Sequence, residues 1–214
     1  MKLKLTKKGI SVPQFVLTAD DIEIQAMEDL ASYRKKYLSN YGKSPQELLD
    51  VDNFVKEMWG IEVAYEELPQ SSEEEFLGRF RPDKQCITVD AKACKNPRRV
   101  SFTVAHEAGH LSLHSFLFDI VGGKVMGWKS SSSTPNKNLD RQADLYAASL
   151  LAPKQEIYNF LKEQGLSHNN YLPSPVDLSL HALAFQERFG LSRQALEIRL
   201  GRLKIPMANR TYSN

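Results

Sequence analysis

His106, Glu107 and His110 stand in the pattern H-E-x-x-H, within His106-Glu107-Ala108-Gly109-His110. On a helix, side chains four apart share one face, about one turn from each other. Two imidazoles so placed can aim at one point, which is what a Zn²⁺ ion requires of its first two ligands. Glu107 falls about 100° round the helix from His106, beside such an ion rather than on it. From there a carboxylate can take a proton from a water that the ion activates, so the chemistry implied is hydrolysis. His and Glu are common on helices, so the five residues alone are a moderately specific signal, and their surroundings sharpen it.

The residues that precede the motif, Val100-Ser101-Phe102-Thr103-Val104-Ala105, have the apolar content of a helix entering a core. Asn96-Pro97 reads as a start signal, with Asn96 as N-cap and Pro97 in the first helical position. Gly109 is a poor helix former. A glycine in mid-helix marks close approach by another backbone or by a ligand. The motif is therefore expected on a buried helix from about Pro97 to about Ser115.

A zinc site needs a third protein ligand. His114 is eight residues from His106, roughly 12 Å along the axis, too far to share one ion comfortably; it is expected behind the ligands, facing substrate or packed. The metzincin pattern is excluded by Leu113 and Phe116, where it has Gly and His. A second helix remains, from Asn138 to a stop at Pro153. Asp140, Ala143, Asp144, Ala147 and Leu151 fall on one stripe of it. The small residues allow close approach to a neighbour, and Asp140 or Asp144 could complete the site. Alternatively, Asp140 is a helix N-terminal charge favoured by the dipole.

Two segments together resemble the ImmA/IrrE family of zinc metallopeptidases. The first runs from Ile87-Thr88-Val89-Asp90 through Arg99 to His114 and is similar to a strand followed by R-x-x-F-T-x-A-H-E-x-G-H-x-x-x-H. The second, Asp140-Arg141-Gln142-Ala143-Asp144-Leu145-Tyr146-Ala147-Ala148-Ser149-Leu150-Leu151-Ala152-Pro153, is similar to E-x-x-A-[ND]-x-[FY]-A-x-x-L-L-x-P. The resemblance implies zinc held by His106 and His110, with Glu107 as the catalytic base. The family's third ligand, a glutamate, falls on Asp140. Aspartate is one methylene shorter, so the second helix must lie closer, or Asp144 one turn later takes the role. Also implied is a protein substrate, often a DNA-binding helix-turn-helix repressor cut to derepress its genes.

The fold class that follows is α+β: a mostly helical, zincin-like metallopeptidase core with a small three-stranded, mainly antiparallel sheet and a C-terminal helical, helix-turn-helix-like subdomain. Residues 1–155 are expected to form the metallopeptidase domain with its N-terminal helices, and 156–214 a helical segment packed on it. Asp20-Asp21 can cap a helix from about Ile22 to Tyr37, with Ile22, Ala26, Leu30 and Tyr33 or Tyr37 on one face. Pro45 to Trp59 reads as a second helix ended by Gly60. Ile61–Tyr65 alternates as a strand. Phe76–Arg81 and Cys86–Asp90 read as a hairpin around Pro82-Asp83-Lys84. The serine-rich stretch 129–138 reads as a mobile loop, and breaks are expected near Gly165 and Pro173-Ser174-Pro175.

At 214 residues and 42% hydrophobic, the chain can bury a sizeable core. A net charge of +2 points to neither a nucleic-acid specialist nor a disordered tail. No apolar run approaches the roughly 18 residues of a membrane span, and no secretory signal is legible at the N-terminus. Cys86 and Cys94 do not make a disulfide framework, which fits reduced thiols, an inert buried Cys86 and a cytoplasmic location.

Leu183–Leu200 has the form of a helix-turn-helix, with Gly190 at the turn and Ser192 as cap. Six Lys/Arg and one acid between Arg188 and Arg210 make direct DNA binding conceivable. Leu191, Leu196, Leu200 and Leu203 instead form a packing face, which is the stronger reading. For an oxyanion donor the candidates are Tyr146, His114 and His181. The alternative to a zinc endopeptidase is a non-catalytic regulator that binds a repressor or DNA through a degenerate peptidase fold.

Overall fold

The computed structural model describes residues 17–45, 48–68, 77–81, 84–115, 137–166 and 175–208. The first helix, α1 (Ala19–Tyr41), is capped by Thr18, which accepts from the Asp21 N–H while the Asp21 carboxylate accepts from the Thr18 N–H at 2.9 Å. This reciprocal box starts the helix three residues ahead of Ile22 and makes Asp21 its third residue rather than its cap. Ile22, Ala26, Leu30 and Tyr33 form its buried face. The second helix, α2 (Val51–Trp59), begins at an Asp50 cap, not at Pro45. The Asp50 side chain accepts from the Asn53 N–H and so satisfies a donor that the helix itself leaves unpaired. It ends at Gly60 in the left-handed region, φ 70°, where glycine has no Cβ penalty.

Three strands follow: β1 (Glu62–Glu66), β2 (Gly78–Arg81) and β3 (Cys86–Asp90). β2 and β3 are antiparallel, as expected of a hairpin, whereas β1 pairs with β3 in parallel, Val63 opposite Ile87. The order β1-β3-β2 makes the sheet mixed rather than mainly antiparallel. Burial explains which strand is central. Ile87, Thr88, Val89 and Asp90 of β3 are all buried, whereas β1 is exposed at both ends. A buried strand must pair its backbone N–H and C=O groups along both edges, and β1 and β2 supply those partners.

A 3-10 turn (Ala91–Lys95) leads into α3 (Pro97–His114), which carries the H-E-x-x-H pattern. Its cap is Asn96, whose side chain accepts from the Arg99 N–H, and Pro97 lies in the first turn. Four more helices complete the described chain: α4 (Lys137–Leu151), α5 (Lys154–Glu163), α6 (Leu178–Phe189) and α7 (Arg193–Arg202). Lys137 and Asn138, read as the end of a serine-rich loop, open α4; the loop's residues 129–136 lie outside the described residues, as do Phe116-Leu117-Phe118, Pro82-Asp83 and Pro173-Ser174. Cys86 is half-buried rather than buried. Among the described residues no helix is long and apolar enough to cross a membrane.

α3 packs against β2, β3 and α4, and α1 packs chiefly against α4 while also touching α3. One apolar cluster joins these layers to the C-terminal helices, running from Ile22 through Val104, Tyr146 and Leu150 to Phe185 and Leu200. Between α6 and α7, Gly190 sits at φ 66° and Ser192 accepts from the Ala195 N–H. Leu191, Leu196 and Leu200 are buried. The buried Arg199 donates to both carboxylate oxygens of Glu23 at 2.5 Å and to the Ala152 carbonyl at 2.9 Å. This side of α7 is committed to the core.

The contact between α3 and α4 is unusually close at Gly109. A Cβ there would lie 3.0 Å from Ala143 Cα, 3.1 Å from the Ala143 carbonyl oxygen and 3.2 Å from Tyr146 Cβ. The obstacles are mainly backbone, so the two helices would have to part. Gly109→Val is therefore expected to destabilise the metal-free protein by at least about 2 kcal/mol through overpacking, measured by denaturant unfolding. Gly109→Ala offsets its clash with about 1 kcal/mol of helix propensity and should fall between. A Gly109→Val variant as stable as the parent would mean that α3 and α4 are not locked together here.

Candidate metal centre

His106 and His110 stand one turn apart on the face of α3 that meets α4, and their Nε2 atoms are 3.1 Å from each other. Asp140, in the first turn of α4, brings Oδ1 to 3.5 Å from His110 Nε2. One ligand atom from each of these three residues can be chosen so that all lie within 4.8 Å of one another. Two nitrogens bound 2.0–2.1 Å from a tetrahedral ion are about 3.3 Å apart, so the observed spacing suits a single small cation. Both histidines are buried and Asp140 is half-buried. Asp144, the other carboxylate considered for the site, is largely exposed and bonds instead to His106 Nδ1, at 2.8 Å.

The hydrogen bonds fix which nitrogen of each ring carries the proton. Asp144 accepts from Nδ1 of His106, which leaves Nε2 with a lone pair. Gln142 Oε1 accepts from Nε2 of His114 at 2.9 Å, so Nδ1 of His114 is the acceptor for the His110 Nδ1–H at 3.0 Å. His110 Nε2 is then also unprotonated. Both lone pairs face the same point, and in each case a partner on α4 sets the tautomer directly or through one relay. A ligating histidine typically has such a partner behind it.

Burial favours the neutral ring at His110 and His114, whereas charge outweighs it at His106. Burial pushes the His110 pKa down to about 4, with His106 and His114 adding to the effect and Asp140 opposing it. His114 is lowered, first by burial. At His106 burial works against the charged ring, but the bond to Asp144 and the carboxylates of Glu107, Asp144 and Asp140 prevail and raise it. The same carboxylates would favour a metal cation in place of the proton on Nε2.

Glu107 is wholly buried beneath β2. Its Oε2 accepts from the Phe80 N–H at 3.1 Å, and its Oε1 has no hydrogen-bond partner among the described residues. Burial pushes its pKa up to about 7, the charge of Asp140 adds to this, and His106 and the Phe80 N–H oppose it. An unsatisfied buried oxygen costs about 1–3 kcal/mol, so its persistence beside a metal-competent cluster marks an atom reserved for a ligand or a proton.

Several contributing residues escaped the sequence reading. Phe80 acts through its backbone, which no side-chain pattern reveals. Gly78 lets β2 come down on α3, since a Cβ there would lie 2.5 Å from Thr103 Cγ2 and 3.9 Å from Glu107 Oε1. An isolated glycine in a strand pattern was the available signal. Gln142 lies next to the expected stripe. Asp29 of α1 accepts from Ser112 Oγ and Tyr146 Oη, both at 2.6 Å, and so ties α3 and α4 together from behind. Of the three residues considered as oxyanion donors, Tyr146 is thus engaged with Asp29 and His114 with its two neighbours, while His181 sits on α6, packed on α7.

The chain belongs to the Peptidase M78 family: residues 57–201 match the model of the IrrE N-terminal-like domain. No curated protein matches it. Among solved structures it is similar to a Mycobacterium tuberculosis transcriptional regulator, at 15% identity and a TM-score of 0.47, over 92% of this chain and 54% of that one. The chain spans about half the length of that regulator.

The two acids of α4 occupy different positions and should separate on substitution. Asp140→Ala removes an oxygen from the cluster and should weaken metal binding at least about a hundredfold. Asp144→Ala removes only the partner of His106 Nδ1 and should cost about tenfold, the lower end of such effects. Competition with a chromogenic chelator measures both. Equal losses, or a larger loss at Asp144, would reverse the roles.

Proposed function

We propose that the protein is a zinc-dependent endopeptidase that hydrolyses a peptide bond in one specific protein, a DNA-binding helix-turn-helix repressor. The observation that carries this reading is the buried Glu107 carboxylate, with one oxygen unpaired, adjoining two imidazole lone pairs and the Asp140 carboxylate. Membership of the Peptidase M78 family supports the reaction class, and the sequence resemblance supports the repressor as substrate.

His106, His110 and Asp140 would hold the ion. When bound, zinc polarises the scissile carbonyl and makes water more acidic. The chain's own part centres on Glu107. The Phe80 N–H anchors Oε2, so the carboxylate cannot rotate away, and Oε1 is left to take a proton from the attacking water. Glu107 then delivers that proton to the departing amine. Asp144 and the Gln142–His114 pair hold the two rings in the required tautomer throughout. A protein that only binds its partner gains nothing from an orphaned buried carboxylate.

Glu107→Gln tests the assignment. The amide keeps the shape and can still accept from the Phe80 N–H, so folding and about one zinc per chain should persist. Cleavage of its helix-turn-helix repressor substrate should fall by at least about a hundredfold, the usual contribution of a general base. Cleavage at the parental rate would remove Glu107 from the mechanism; parental protein free of zinc after chelator-free purification would remove the ion.

A further inference from the structure

A cleft of about 610 Å³ opens where the first half of α3, the outer side of α4 and α7 meet. Its walls carry four arginines: Arg98 and Arg99 from α3, Arg141 from α4 and Arg202 from α7. The acid among the described lining residues is Asp144, which already accepts from His106. Arg98, Arg141 and Arg202 form no ion pair among the described residues. Partial burial and then the charges of Arg141 and Arg199 push Arg202 below the usual guanidinium pKa. In a chain of net charge +2, four arginines against the single acid Asp144 among the described lining residues make a local excess of positive charge.

Part of the lining is apolar: Phe102, Leu145 and Ile198 contribute to it, and Ile198 is 51% exposed. Cations beside apolar side chains in one lining suit a ligand with both carboxylates and a hydrophobic side chain. Arginine pairs carboxylates through two parallel hydrogen bonds, and a seated apolar group supplies the anchoring energy. A nucleic-acid backbone fits less well, since its phosphates ask for cations along an outward face and have no use for apolar side chains. One lining residue, Asp144, is a single hydrogen bond from His106, so the cleft shares a wall with the metal centre yet is lined by other residues.

We propose that this cleft docks an acidic segment of the protein substrate, with its carboxylates on Arg98, Arg141 and Arg202 and an apolar side chain on Phe102, Leu145 and Ile198. The occupant's being a substrate rests on the peptidase reading; its chemistry does not.

The test is binding, not turnover. A display library of short random peptides is panned on the full-length Glu107→Gln protein, and on the same protein carrying Arg98→Ala, Arg141→Ala and Arg202→Ala. These arginines are exposed or half-buried, and unchanged thermal unfolding verifies the variant's fold. The parental groove should select peptides rich in Asp and Glu with an interposed Leu, Ile or Phe. One selected peptide, labelled and titrated by fluorescence anisotropy, should bind at least about tenfold more weakly to the triple variant. Ile198→Ser should weaken it as well. Metal-stripped protein should bind the peptide unchanged, so loss of the zinc assignment would leave this result standing. Selection without acidic enrichment, or equal binding by the triple variant, would overturn the proposal. So would duplex DNA that binds the parent and not the triple variant while no acidic peptide is selected, which would make the cleft a nucleic-acid surface.

Discussion

At Gly109 the backbone of α3 lies directly against that of α4, with Ala143 Cα only 3.0 Å from where a Cβ would stand. This contact fixes how far an α4 side chain must reach to join the histidines of α3. Where the family carries glutamate this chain has Asp140, shorter by one carbon–carbon bond, about 1.5 Å. The carboxylate still comes to 3.5 Å from His110 Nε2, because no side chain separates the helices at Gly109 and only methyl groups stand at Ala143 and Ala147. The proposed ligand set therefore depends on side chains that are missing as much as on those that are present.

The same helix supplies most of what surrounds the site. Within two turns of α4, Asp140 reaches the cluster, Gln142 orients His114 and through it His110, Asp144 orients His106, and Tyr146 bonds Asp29 on α1. Ser112 adds a bond from α3 to the same Asp29 oxygen. A buried polar network stabilises a single arrangement only when its members are satisfied, and these members are, except at Glu107 Oε1. The exception lies where the proposed reaction needs a proton acceptor. β2 holds the other oxygen of that carboxylate, so the sheet as well as the helix pair is part of the site.

The extent of α3 was legible because Asn96, Pro97 and an apolar run of helical period all point to the same start and length. The stripe of Asp140, Ala143 and Ala147 identified the facing surface of α4, and Gly109 signalled close contact. What the sequence left ambiguous was which carboxylate approaches the Nε2 side of the histidines and which lies behind a ring. Asp140 and Asp144 are one turn apart on the same side, and only the position of the helix along its axis distinguishes them. The parallel pairing of β1 with β3 was illegible for a related reason: alternation marks a strand but carries no information about its neighbour. The start of α2 was misjudged because Pro45 is a permitted helix opener, whereas the Asp50 cap satisfies a backbone donor directly. Contacts across long separations, such as Asp29 with Ser112 and Tyr146 or Glu23 with Arg199, involve ordinary surface residue types. Nothing local distinguishes them from solvated side chains.

The central claim is that His106, His110 and Asp140 hold one zinc ion, and its most direct measurement is the zinc-edge X-ray absorption spectrum of protein purified without chelators. The account predicts a low-coordinate site with two imidazoles and light oxygen ligands at about 2.0–2.1 Å and no sulfur at about 2.3 Å. It further predicts loss of one imidazole's scattering in His110→Ala. A sulfur shell, a spectrum unchanged in His110→Ala, or no zinc at all would contradict it.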